Sequence, residues 1–206
     1  MINQTSRDLH SFIDALRNKL ARAESVPQPN RNGHQRAAAV LVPLVYRPGG
    51  LSILYTRRSD RLASHRGQVA FPGGRLDRRD PDLLAAALRE AFEEVGIEPR
   101  QVEVLGSFEG RATRREQIFV TPFVGLVNEP IELRPDPKEV AEIFEVPLAA
   151  LRDERYRGLY RAETDGTPTL HPAILYGGQT IWGLTYYLTL RFLQLSRQTG
   201  VIPDQG

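Results

Sequence analysis

Three carboxylates, Glu90, Glu93 and Glu94, crowd one short stretch of this chain. If that stretch is helical, Glu90 and Glu94 are i, i+4 neighbours and Glu93 stands three residues from Glu90, so all three converge within about one turn. Like charges at that spacing destabilise a helix by roughly 0.2–0.5 kcal/mol per pair. They also fall near the expected helix C-terminus, where the macrodipole disfavours anions. Two arrangements would offset this. Arg89 could neutralise part of the charge, or a hard divalent cation such as Mg²⁺ or Mn²⁺ could take its oxygen ligands from one rigid helix. A merely solvated acidic face is the plain alternative. Phe71-Pro72-Gly73-Gly74 lies just before the helix, and glycine there permits a close backbone approach that would offer a carbonyl oxygen as a further ligand.

The spacing G-x5-D-x8-R-E-A-F-E-E-V-G-I over residues 74–97 resembles the Nudix hydrolase box, G-x5-E-x7-R-E-U-x-E-E-x-G-U, where U is a bulky apolar residue. Gly74, Arg89, Glu90, Glu93, Glu94, Gly96 and Ile97 match. Asp80 stands where the box has Glu, one further residue precedes Arg89, and Ala91 takes a position more often held by a larger side chain. The resemblance implies hydrolysis of a nucleoside diphosphate linked to another moiety. Glu90 and Glu94 would be the main metal ligands and the Gly74 carbonyl an added oxygen. Glu93 would be a further ligand or the base that orients and deprotonates water, and Arg89 would pair with Glu90 or Glu93 and hold them in place. Family members often recruit another acid from a distant loop. Glu116, Glu139 and Glu142 are the candidates, and the sequence does not choose among them.

Upstream, LYTRRSDRLASHRGQVAFPGG (54–74) resembles the signature of the coenzyme A diphosphatase branch, L-L-T-x-R-S-x3-R-x3-G-x3-F-P-G-G. Thr56, Arg58, Ser59, Gly67 and Phe71 to Gly74 fit, whereas Tyr55 replaces a Leu and Ala63 an Arg. Ile181-Trp182-Gly183-Leu184-Thr185 resembles a segment of the same branch. The implied substrate is a small nucleotide of the coenzyme A type, with Arg58, Ser59, Arg61 and Gly73 as contacts. Alternatives are a Nudix diphosphatase for ADP-ribose, NADH or damaged nucleotides, and a non-catalytic nucleotide-sensing module. Charge placement agrees with a polyanionic substrate. Residues 57–79 hold seven Arg and two Asp, and residues 80–98 hold six acids and only Arg89. Arginine forks bind phosphate bidentately.

These residues need elements to position them. Residues 6–24 predict an amphipathic helix that buries Phe12, Ile13, Leu16 and Leu20, followed by an exposed connector at 26–36. AAAVLVPLVY and LSILYTRR, joined by RPGG, predict a β-hairpin. Asp80-Pro81 reads as an N-cap and first helical residue, and Leu84, Leu88, Ala91 and Val95 as the buried stripe of a helix that stops at Gly96. Strands are expected in VEVLGSFEG, EQIFVTPFVGLV and EIFEVPL, and a last helix over 179–197. This is an α/β or α+β pattern. With the resemblance it becomes a Nudix-type α/β/α sandwich around a mixed β-sheet, with residues 1–35 as helix and connector and 36–200 as the hydrolase domain.

Composition narrows the rest. The chain has 206 residues and no Cys, which excludes disulfides, thiolate metal sites and a cysteine nucleophile. It holds 25 Arg but only Lys19 and Lys138, for a net charge of +2, too weak a balance to argue for nucleic acid. The N-terminal stretch lacks the apolar core of a signal peptide, and no run approaches ~20 apolar residues. A cytoplasmic protein with no membrane or nucleic-acid partner is expected, with a homodimer left open.

Overall fold

The computed structural model describes residues 4–29, 36–113, 118–164 and 167–200. In chain order the elements are α1 (Gln4–Arg17), β1 (Ala37–Arg47), β2 (Gly50–Arg58), β3 (Val69–Ala70), β4 (Gly73–Arg75), α2 (Leu83–Val95), β5 (Val102–Ser107), β6 (Arg111–Ala112), β7 (Phe119–Val127), β8 (Val140–Pro147), α3 (Leu148–Arg152), β9 (Arg157–Thr164), β10 (Thr167–Tyr176), β11 (Gln179–Trp182) and α4 (Gly183–Arg197). β1 lies at the centre of a mixed sheet. It pairs antiparallel with β2 and β4 and parallel with β7, while β8 adds to the far side of β2 and β5 to β7. A strand covered on both faces reads as a continuous apolar run, which is how Val40 to Tyr46 reads in the sequence.

Alternation along β1 and β2 sorts the core into two layers. Val42, Leu44, Ile53 and Tyr55 face α1 and α4, packing with Phe12, Leu16, Leu188 and Phe192. Ala39, Val45 and Leu54 face α2, packing with Leu83, Ala86, Ala87 and Val95. The architecture is helix, mixed sheet, helix, as expected. In the α4 layer the Tyr55 hydroxyl meets the Thr189 hydroxyl at 3.0 Å, and burial raises its pKa. No helix among the described residues is long and apolar enough to cross a membrane.

Several expectations are corrected. The first helix ends at Arg17, not at residue 24, although Phe12, Ile13, Leu16 and Leu20 are buried as predicted. The last helix begins at Gly183, because Gln179–Trp182 pairs with β10 as a strand. The α2 N-cap is Asp82, whose side chain accepts the Ala85 N–H at 2.8 Å, so Asp80 and Pro81 lie before the helix. The buried stripe of α2 is Leu83, Ala86, Ala87, Ala91, Glu94 and Val95, and Leu84 and Leu88 are only half-buried. Small residues win that face because β1 and β4 run directly beneath it. The expected connector is described only at its ends, and residues 30–35 lie outside the described residues.

Strands β9, β10 and β11 form a second, antiparallel sheet in that order. At its base the Trp182 ring leans on Tyr160 and His171, with ring centroids 5.0 and 5.2 Å away.

Candidate active site

The α2 helix is capped at both ends by its own sequence. Asp82 caps the N-terminus, and Gly96, at φ 80°, turns the chain left-handed and donates its N–H back to Phe92 O. Beyond Gly96 the segment 132–139 returns to the helix end. There Arg134 N–H bonds Val95 O and Asp136 N–H bonds Glu94 O, each at 3.0 Å, satisfying carbonyls that a helix terminus leaves open.

Gly73 and Gly74, in β4, press against the acidic face of α2. A Cβ on Gly74 would lie 2.5 Å from the Glu90 carboxylate, and one on Gly73, whose φ is 153°, would lie 2.4 Å from Ala39 O. At Gly73 the obstacle is backbone and only glycine fits, whereas at Gly74 it is the end of the Glu90 side chain, which an added methyl group would push aside. The loop before them is held by Leu41 N–H to Pro72 O at 2.9 Å and by Phe71 stacked on Tyr55 at 4.9 Å.

The three carboxylates occupy different environments. Glu94 has a side chain only 5% exposed. It accepts the Gly73 N–H at 3.0 Å and has Arg58 Nη1 at 3.8 Å. Burial pushes its pKa up to about 8, against the opposing pull of the Gly73 N–H and Arg58, with Glu90 and Glu139 pushing further upward. Glu90 is also raised, first by burial and then by Glu93 and Glu139, with Arg89 opposing. Glu93 is 54% exposed.

Arg89 organises this face. Nε and Nη2 fork onto Asp80 at 2.8 and 2.9 Å, while Nη1 donates to Glu90 and Glu93, both at 2.9 Å. The fork holds the Asp80 carboxyl below its ordinary range. Asp80 is thus the anchor of Arg89, a role its position before the helix does not advertise. A carboxylate nine residues from its partner gives no periodic signal.

Of the expected substrate contacts, Arg58 points at Glu94, and its Nε is buried with no hydrogen-bond partner. Ser59 is buried, and its hydroxyl accepts the Arg61 N–H at 3.3 Å. Arg61 is exposed on the same turn. Of the two distant acids among the described residues, Glu139 is the one whose charge acts on Glu90 and Glu94. Its carbonyl accepts the Ser59 N–H at 2.8 Å. Glu142 pairs with Arg57 at 3.3 Å and accepts Gln179 at 3.0 Å, and Glu116 lies outside the described residues.

Among the described residues no three acidic or histidine side chains converge as a ready cage for a metal. The donor chemistry nonetheless fits a hard cation. Glu90 and Glu94 offer carboxylate oxygens on one rigid helix, and their pKa values are raised by burial and by neighbouring carboxylates, a charge imbalance that a divalent cation would offset.

Comparison with known proteins fits this geometry. A family model described as the NUDIX domain matches residues 35–163. An uncharacterized Nudix hydrolase NudL of Yersinia enterocolitica is 42% identical over 199 residues, spanning 94% of this chain and 95% of that protein. A NudL of Klebsiella pneumoniae, likewise uncharacterized, is 45% identical over 163 residues, 77% of this chain and 82% of that protein. Among solved structures, RenU, a Nudix hydrolase from M. smegmatis, shares the fold at a TM-score of 0.53 and 21% identity, covering 88% of this chain and 99% of RenU.

Proposed function

The chain belongs to the Nudix hydrolase family, and on that premise we propose that it is a Mg²⁺- or Mn²⁺-dependent diphosphatase of coenzyme A and its acyl derivatives. The observation that carries the substrate reading is the wiring of the segment resembling the coenzyme A signature. Within it Arg58 reaches Glu94 and Ser59 bonds the Glu139 carbonyl, so the signature loop and the acidic helix form one unit.

Glu90 and Glu94 would hold the cation, with the Gly74 carbonyl and Glu139 as further oxygens. When bound, the cation acidifies water and stabilises charge on the pyrophosphate oxygens. Glu93, the exposed carboxylate, orients the attacking water and takes its proton. Water attacks one phosphorus, the bridging P–O bond breaks, and the products are 3′,5′-ADP and 4′-phosphopantetheine or its acylated form. Arg89 keeps Glu90 and Glu93 in place through its fork on Asp80. Arg58, with its unpartnered Nε, and the exposed Arg61 meet substrate phosphates, alongside the Gly73 backbone. Ser59 shapes the turn that presents them.

The test is to incubate the protein with Mg²⁺ or Mn²⁺ and coenzyme A, acetyl-coenzyme A, NADH, ADP-ribose or a dNTP, and to identify products by mass. Release of 3′,5′-ADP from the coenzyme A species is expected. Cleavage confined to ADP-ribose, NADH or dNTPs would overturn the substrate reading, and no cleavage of any of them would favour a nucleotide-sensing module.

A further inference from the structure

Outside the acid site, positive charge gathers at one end of α4 with little to balance it. β11 pairs only with Ala173–Tyr176 of β10, so beyond Ala173 the strands β9 and β10 continue as a two-stranded ribbon. Between the base of this ribbon and α4 lies a cleft of about 770 Å³, in the layer opposite α2. Pro172, Tyr186, Leu190 and Leu193 form its apolar wall. Arg157 and Arg197 supply its cationic lining, and Glu154 is the one acid in it among the described residues.

A third arginine adds to this charge. Arg152 Nη2 donates to the Ser196 hydroxyl of α4 at 3.1 Å, and Arg157 Nη2 donates to Leu151 O, next to Arg152 in the chain, at 2.7 Å. The buried Nε of Arg152 and Nη1 of Arg157 have no hydrogen-bond partner. Burial and the charge of Arg197 both pull the Arg152 pKa down. Among the described residues none of the three guanidiniums forms an ion pair, and neighbouring Asp153 is taken by Arg155 at 2.6 Å. The C-terminus of a helix offers about half a negative charge, which does not balance three cations. Buried charges are ordinarily paired, and an unsatisfied buried donor calls for a partner.

We propose that this cleft binds an organic phosphate monoester, its dianionic head at Arg157 and Arg197 and its body along Pro172, Tyr186 and Leu190. Three guanidinium charges less the one on Glu154 leave a local balance of +2, which a phosphate monoester cancels and a single carboxylate does not. Arginine forks match phosphate oxygens bidentately. The apolar wall offers nothing to inorganic phosphate, whose oxygens all face water, but it suits an ester with an aromatic or aliphatic body. The main sheet separates this cleft from the α2 glutamates, so binding here needs neither metal nor turnover.

The experiment titrates the full-length protein with phenyl phosphate and with inorganic phosphate by calorimetry, in EDTA so that no metal recruits either to the acid site. Phenyl phosphate is expected to bind about tenfold or more tightly than inorganic phosphate, through the contact its ring makes with the apolar wall. Arg197→Gln should weaken phenyl phosphate by about tenfold, the loss of one charge-assisted contact, and Arg157→Gln by at least as much. Arg197 is exposed, so its variant remains readable even where Arg157→Gln fails to fold. Arg61→Gln, on the turn beside the acid site, should leave the affinity unchanged. No saturable binding up to roughly 10 mM would overturn the proposal. So would inorganic phosphate bound as tightly as the ester, or ester binding lost in Arg61→Gln and kept in Arg197→Gln.

Discussion

Helices α2 and α4 are 13 and 15 residues long and cover opposite faces of one sheet, yet they are built in contrary ways. Against the sheet α2 presents Ala86, Ala87 and Ala91, and it fixes its charges through Arg89, Asp80 and backbone N–H groups. The α4 face presents Leu188, Phe192 and Leu193 and a single hydroxyl pair. Small side chains let a helix approach the glycine backbone of β4 and hold carboxylates half out of water. Large ones bury apolar area, at about 25 cal/mol per Å². Stability and chemistry are therefore drawn from different layers, and substitutions should separate them.

The largest expected effect is on the α4 side. Phe192→Ala removes a fully buried ring and should lower unfolding free energy by about 3–5 kcal/mol in denaturant titrations, with turnover per folded molecule unchanged. A matching loss of turnover would break the separation. Next comes Glu94→Gln, which should cut turnover by well over tenfold, about 1.4 kcal/mol of barrier at the least, while the fold persists. That variant also tests the electrostatics. The ordinary carboxyl of the unfolded chain loses its proton near pH 4.5, but buried Glu94 keeps its proton to about 8. Between those values the folded state binds more protons, so the metal-free protein should lose stability as pH rises from about 5 to about 8. Glu94→Gln should flatten that slope in melting curves. Unchanged pH dependence would show that Glu94 is not the group responsible.

A smaller effect is expected at Gly74→Ala. The new methyl group would displace the Glu90 carboxylate, the mobile end of its side chain, so turnover should fall by roughly tenfold with a stability change below about 1 kcal/mol. Smallest is Tyr55→Phe, which removes one buried hydrogen bond and leaves the Thr189 hydroxyl without that partner. A loss of about 1 kcal/mol in stability and none in turnover is expected.

The same division explains what the sequence made legible. The glutamates of α2, its glycine stop and the β1–β2 hairpin were readable because each is encoded within a few residues. The N-cap lies two residues beyond the position the sequence suggests, since Asp80 and Asp82 offer the same side chain and only the pull of Arg89 on Asp80 decides between them. Glu139 could not be chosen over Glu142. Which acid reaches α2 depends on how the segment 132–139 caps the helix end, and that contact spans about forty residues of chain. β9 to β11 are not legible in the sequence, because Pro168, Pro172 and paired glycines at 177 and 178 look like loop in a single sequence. The long ribbon tolerates those prolines only because one of its edges faces outward.

That ribbon carries one more property. Trp182 is the only tryptophan in the chain, and it rests against Tyr160 and His171 at the ribbon's base. Excited at the long-wavelength edge of the tryptophan band, where tyrosine absorbs little, the molecule thus has a single emitter, placed far along the chain from the acidic helix and against the β9–β10 ribbon. Its emission is a label-free optical signal for changes at that ribbon, read separately from turnover at the glutamates.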